Sequence, residues 1–199
     1  DHRFSAVNCA ALNDELVEAE LFGHARGAFT GAVGPRAGLF EDAHGGTLFL
    51  DEVTELSPRA QAKLLRVLQE REVRRVGENQ ARAIDVRILA ACNVPVADAV
   101  ASGRFRDDLR FRLAVVRIRL PPLRERVEDL PALTHLFWRR AAAEAGTRAL
   151  LGPDALARLT RHSWPGNVRE LQNVLAGLVV AAPACGRVGA RHVEQVLSH

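Results

Sequence analysis

Three short, nearly continuous apolar runs punctuate the first part of the chain. They are Gly46-Thr47-Leu48-Phe49-Leu50, Val86-Arg87-Ile88-Leu89-Ala90-Ala91 and Ala114-Val115-Val116-Arg117-Ile118. Runs of this length without strict alternation predict buried strands. A weaker fourth, Ser5-Ala6-Val7-Asn8, precedes them. Helical patterns lie between. Asn13 can cap a helix running to about Leu21, because its side chain can accept from an orphan N–H of the first turn. Ser57-Pro58 opens another with Leu64, Leu65 and Leu68 on one side; serine caps, and proline is tolerated in a first turn. Strands alternating with helices predict a parallel α/β sheet.

After Leu120-Pro121-Pro122 the pattern becomes wholly helical, since two prolines end a strand and turn the chain. Helices are predicted over 127–145, from Pro153 to about His162 and from Asn167 to about Ala182, with Gly146, Gly152 and Gly166 between them. The expected organisation is an α/β core over residues 1–121, a small α-helical lid subdomain over 122–182, and the start of a C-terminal linker over 183–199. No internal repeat or low-complexity tract interrupts it.

Composition narrows the class. Of 199 residues, 48% are hydrophobic and 26% charged, the profile of a globular chain rather than a disordered one. The longest apolar stretch, 175–184, is half of the ~20 residues a membrane span needs, so no membrane association is expected. Cys9, Cys92 and Cys185 are far apart and form no CxxC or Cys/His cluster, which favours reduced, cytoplasmic thiols over a metal or disulfide framework. Residues 101–126 hold eight Arg against Asp107, Asp108 and Glu125, a local +5 that leaves −2 for the rest of a net +3. A compact arginine cluster suits phosphate binding or a subunit contact, or is a solvated face; a DNA-binding domain shows a broader basic surface. There is no Met, and Lys63 is the single Lys. No glycine lies near it, so the chain carries no phosphate-cradling P-loop of its own and reads as a fragment.

Candidate chemistry clusters at strand ends. Thr47-Leu48-Phe49-Leu50-Asp51-Glu52 ends an apolar strand in two acids, at the sheet end where α/β proteins bind ligands. Asp51 there can hold Mg²⁺ through its waters, and Glu52 can polarise an attacking water; alternatively the pair is a surface cap. Asn93, at the tip of the next strand, could orient the same water or form a turn. Arg106 and Arg112 flank 107–111 and could stabilise a neighbour's phosphates or form an Arg–Asp surface network. Arg169 follows Trp164-Pro165-Gly166-Asn167-Val168 in the first turn of a helix, suited to sensing a phosphate or to a salt bridge. Gly27-Ala28-Phe29-Thr30-Gly31-Ala32 puts glycines around an apolar tip, a mobile loop or a packed hairpin.

In order along the chain these segments resemble the AAA+ domain of bacterial enhancer-binding proteins, the sigma-54-dependent transcriptional activators. The resemblance covers about 7–178. It rests on Val7-Asn8-Cys9-Ala10-Ala11-Leu12, Glu20-Leu21-Phe22-Gly23-His24, the GAFTGA loop at 27–32, Ala43-His44-Gly45-Gly46-Thr47-Leu48-Phe49-Leu50-Asp51-Glu52, Leu64-Leu65-Arg66-Val67-Leu68-Gln69, Leu120-Pro121-Pro122-Leu123-Arg124-Glu125-Arg126 and 164–171. It implies an AAA+ P-loop-type parallel sheet, incomplete here, and a small all-α lid. It implies ATP and Mg²⁺ as cofactors, with Asp51 and Glu52 as the Walker B pair. Asn8 would be the switch residue that restrains Glu52, Asn93 sensor I and Arg169 sensor II. Arg106 and Arg112 would be arginine fingers acting across a ring of subunits, usually a hexamer. Gly27, Ala28, Phe29, Thr30, Gly31 and Ala32 would engage the sigma-54 factor, and 73–80 would form a second pore-facing loop. The implied activity couples ATP hydrolysis to open-complex formation by sigma-54 RNA polymerase; the alternative is a non-hydrolysing remnant that keeps only the sigma-factor loop. The sequence departs from the family at three places. The Walker A segment is missing upstream of Asn8, so no turnover is expected from this chain alone. Cys92 stands where Thr is usual, and Arg110-Phe111 where an aromatic pair is usual. DNA would be reached only through a domain not present here.

Overall fold

The computed structural model describes residues 3–11, 13–182 and 185–198. Leu12, the last residue of the first resemblance motif, lies outside them, as do 183–184 at the end of the apolar stretch and the start of the expected linker. The chain divides into two compact units, 1–117 and 118–199.

In the first unit the order is β1 (Phe4–Asn8), α1 (Asp14–Phe22), α2 (Leu39–Asp42), β2 (Thr47–Asp51), a 3-10 turn at Val53–Glu55, α3 (Pro58–Glu70), β3 (Glu72–Arg74), β4 (Ala81–Ala83), β5 (Arg87–Ala90), α4 (Val96–Ala101) and α5 (Asp107–Leu113). β1, β2 and β5 form a parallel sheet with β2 in the middle, and β3 and β4 form an antiparallel hairpin. The register sets Asn8 beside Asp51 and Leu50 beside Ala90.

The central strand is sealed on one face only. Leu48 and Leu50 are fully buried with Val17, Leu21, Phe22, Ala60 and Leu64 of α1 and α3, each contributing about 1.5–3 kcal/mol of burial. Thr47, Phe49 and Asp51 on the other face are half-buried. Continuous apolarity had implied cover on both faces; the structure gives it to alternate residues.

The caps are those expected. The Asn13 side chain accepts from Leu16 N–H at 2.9 Å and Ser57 Oγ from Ala60 N–H at 3.3 Å. The single Lys is structural, since Lys63 on α3 pairs with the buried Glu18 of α1, which Arg59 also approaches at 3.4 Å.

The run 114–118 is not a strand. α5 ends at Leu113 and the following chain pairs with no strand among the described residues, leaving Val115, Val116 and Ile118 exposed at 83%, 78% and 82%. A strand needs a neighbour's N–H and C=O groups, and local apolarity cannot supply them.

The second unit contains α6 (Leu130–Ala145), β6 (Leu150–Leu151), α7 (Pro153–Thr160), α8 (Asn167–Ala181), β7 (Arg187–Val188) and α9 (Ala190–Leu197). Its core joins Trp138, Leu159, Trp164, Leu171, Leu175, Val188 and Val193. Gly146 ends α6 in the left-handed conformation. Among the described residues no helix is long and apolar enough to cross a membrane.

Candidate functional site

The two acids sit where the sheet ends. Cys9 N–H donates to Asp51 O at 2.9 Å from one side, and Ala91 N–H to Leu50 O at 2.8 Å from the other. Immediately beyond, Val53 N–H donates to Ala91 O at 3.0 Å. Glu52 is thereby forced into a left-handed backbone, φ 54°, a conformation costing a non-glycine residue about 1–2 kcal/mol and concentrated at functional sites. Asp51 Oδ1 accepts from Glu52 N–H at 3.1 Å. Glu52 Oε2 is buried and has no hydrogen-bond partner among the described residues, although buried carboxylate oxygens are normally paired.

The acids' negative field reaches both flanking strands. Burial, then Asp51 and Glu52, push the Cys9 thiol up to about 12. Burial and then Glu52 raise Cys92 as well. Both thiols stay neutral at pH 7, and the local potential favours a cation.

Asn8 lies beside Asp51 in register, but its Oδ1 accepts from its own Ala10 N–H at 2.8 Å. Among the described residues it makes no hydrogen bond to Glu52. Asn93 is exposed just past β5. The structure thus brings Asp51, Glu52, Asn8 and Asn93 to one end of one sheet.

The arginines are elsewhere in their units. Arg106 stands at the position preceding α5 without a side-chain cap bond, is exposed, and pairs with Asp108 at 2.7 Å. Arg112 donates to Leu68 O at 3.1 and 3.3 Å, at the C-terminal end of α3 where carbonyls are unpaired. Arg110 lies over the exposed Phe111 ring at 4.2 Å. In the second unit Arg169 is exposed in the first turn of α8 and makes no ion pair among the described residues. Its turn is braced: Trp164 and Asn167 both have positive φ, Trp164 Nε1–H donates to Leu159 O at 3.0 Å, and Asn167 Oδ1 accepts from Leu123 N–H at 2.8 Å.

Loop 27–32 is closed at its neck by Gly27 N–H to Ala32 O at 2.8 Å, with Gly27 and Gly31 at φ 75° and 101°. It abuts the β3–β4 hairpin, where Ala25 N–H donates to Val76 O at 2.9 Å. The hairpin is anchored by a bidentate pair from Arg75 to Glu41 of α2, at 2.7 and 2.8 Å.

Sequence reasoning missed Gln61 of α3. Its buried amide accepts from Arg106 N–H at 2.9 Å and donates to Leu56 O at 2.7 Å and Arg104 O at 2.8 Å. It therefore fixes the backbone that carries Arg106. The available signal was a polar residue within the apolar stripe 60, 61, 64, 65.

Comparison with known proteins follows the same division. Residues 1–119 match the Sigma-54 interaction domain, and 124–199 an AAA+ ATPase lid domain. The chain is 56% identical over 173 residues to the transcriptional regulatory protein XylR of Pseudomonas putida, covering 86% of this chain and 31% of that one. It is 53% identical over 176 residues to ZraR of Klebsiella oxytoca, covering 87% and 40%. It thus spans well under half the length of these curated relatives. Crystal structures of NtrX from Brucella abortus superpose with a TM-score of 0.87 at 38% identity, over 96% of this chain and 43% of that chain; NtrX has also been crystallised with ADP and with ATP. The Thermotoga maritima RuvB motor shares the fold alone, at TM-score 0.57 and 16% identity. The α/β architecture and these matches agree: the chain belongs to the sigma-54 interaction domain family, joined to an AAA+ lid domain.

Proposed function

We propose that this chain is the sigma-54 interaction and ATPase module of a cytoplasmic transcriptional activator that couples ATP hydrolysis to open-complex formation. The observation that carries the proposal is Glu52: a strained residue at the end of β2, with a buried carboxylate oxygen left unpaired. The acid pair and its negative surroundings fit a magnesium–nucleotide complex. Asp51 would hold Mg²⁺ through its waters, while Glu52 Oε2 orients a water and takes its proton. When bound, Mg²⁺–ATP supplies the phosphoanhydride whose cleavage drives the work. Asn93 orients the same water, and Asn8 turns from Ala10 to Glu52 to restrain it. Arg106 and Arg112 leave their own-chain partners to reach a neighbouring subunit's phosphates in a hexameric ring, and Arg169 reads bound nucleotide from the lid. The loop 27–32 engages sigma-54, with Phe29 and Thr30 at its tip, alongside the 73–80 hairpin. DNA contact falls to other domains.

The test uses the protein encoded by the gene that contains this sequence. Its ATP turnover should fall at least ~10²-fold on Glu52→Gln, within the range set by losing a general base, with nucleotide binding retained. The purified 199-residue chain should bind sigma-54 factor without turning ATP over. Undiminished turnover in Glu52→Gln would sink the catalytic assignment; sigma-54 binding with no turnover by the gene's own product would favour the non-hydrolysing alternative.

A further inference from the structure

We infer that His24 is a positioning residue for the sigma-54-contacting loop: its ring seats Phe29 and holds the loop's apolar tip down until a partner lifts it. The functional consequence rests on the sigma-54 reading above; the seat itself does not.

Phe29 meets the His24 ring edge-on, with centroids 5.0 Å apart and planes at 66°. It is half-buried, whereas Thr30 and Gly31 are exposed and Val33 is 84% exposed. The largest apolar group of the loop is therefore partly withheld from solvent, while Ala32 at the neck is buried.

The seat is tied to neighbouring segments on both sides, whereas the loop turns at two glycines. His24 N–H donates to Arg36 O at 3.0 Å and its carbonyl accepts from Arg36 N–H at 2.9 Å, while a bridge to Val76 holds its other side. By contrast, a Cβ placed on Gly27 or Gly31 would meet none of the described residues within 4 Å. Those glycines supply left-handed turns in open space, so they serve as hinges rather than as close contacts. The neck is pinned by Gly27 N–H to Ala32 O and the tip is closed by Ala32 N–H to Phe29 O at 3.0 Å, so in this proposal the tip moves as one short flap about Gly27, with His24 as its ring contact.

The seat is also weak by construction. Nδ1 of His24 is buried and has no hydrogen-bond partner among the described residues, and an orphaned polar atom costs free energy that hydration recovers. A placement of the loop that admits water to the ring offsets part of the lost Phe29 contact. An edge-on aromatic pair biases an equilibrium by about twofold to tenfold beyond its area burial, enough to favour the seated tip and little enough for a partner to overcome.

The test compares wild type, His24→Ala and His24→Phe in the purified chain. Trypsin cleavage after the exposed Arg26, mapped by mass spectrometry, should quicken about threefold or more in His24→Ala and return to the wild-type rate in His24→Phe. Affinity for purified sigma-54 factor should rise, by up to about tenfold, in His24→Ala and not in His24→Phe. A damaged fold would only weaken binding, so this gain separates positioning from mere support. Equal Arg26 cleavage in wild type and His24→Ala, or weaker sigma-54 binding in His24→Ala, overturns the inference. If no variant binds sigma-54 while the cleavage rates separate as stated, the sigma-54 reading falls and the seat stands. Should His24→Ala fail to fold, Phe29→Ala decides: the His24 ring-proton NMR signals must shift on losing the facing ring, and unchanged signals overturn the seat.

Discussion

Replacing Gln61 by Leu tests whether the buried amide of α3 holds the Arg106 segment in place. The side chain is 1% exposed and makes three hydrogen bonds, to Leu56 O, Arg104 O and Arg106 N–H. Leu fills nearly the same volume, so the cavity term is small and the loss is polar. Leu56 is itself 4% exposed, so its carbonyl would be left dry, at about 1–3 kcal/mol. Arg104 and Arg106 are exposed residues, and water can replace part of their loss. The expected total is about 2–4 kcal/mol, or a fall of roughly 8–16 °C in the melting of the first unit. Urea denaturation followed by circular dichroism measures it, and the transition of the second unit serves as an internal reference. Amide exchange at Arg106 should quicken in parallel. An unchanged urea midpoint with an unchanged slope, or a slow Arg106 amide in the variant, would refute the reasoning.

Two further outcomes follow from close contacts and charge. Gly38→Ala places a Cβ 2.2 Å from Gly23 N and 2.4 Å from Phe22 C, both backbone; the first unit should lose at least about 3 kcal/mol, whereas Gly34→Ala, with nothing within 4 Å, should be near neutral in the same assay. Hydrogen bonding from Arg75 holds Glu41 below its ordinary value of 4.5. Its contribution is therefore fully present above that value and is lost as pH falls through the lower folded-state value; a plot of unfolding free energy against pH should drop less steeply in acid for Glu41→Gln than for wild type, and identical slopes would count against the pair.

Much of this protein is legible from residue order alone. Helix starts at Asn13 and Ser57, the break between helices at Gly146 and three of the four strand segments follow from local chemistry, which acts over a few residues and leaves a mark in each. The acid pair is legible for the same reason: an apolar run that ends in Asp51-Glu52 is itself a local pattern. What failed, 114–118, failed because a strand is a relation between two segments. The α2, α4 and α5 helices and the β3–β4 hairpin are short and carry little periodicity of their own, so the hydrophobic pattern does not mark them.

Residue order sets the alternation of strands and helices, the change of character after Pro121-Pro122, and the motifs that resemble sigma-54 activators. These depend on residue type and spacing alone. It takes the folded chain to give Glu52 a left-handed turn with an oxygen unpaired among the described residues, to bond Asn8 to its own turn, to rest Arg112 on Leu68, to pair Lys63 with Glu18, and to seat Phe29 on His24. Two of these, Arg112 on Leu68 and Lys63 on Glu18, join residues more than forty apart in sequence; the Glu52 turn is local but is imposed by strands on either side, and the Phe29 contact with His24 spans five residues across a loop. Burial and pairing of that kind arise when the sheet and its covering helices close on one another, and no local pattern encodes them.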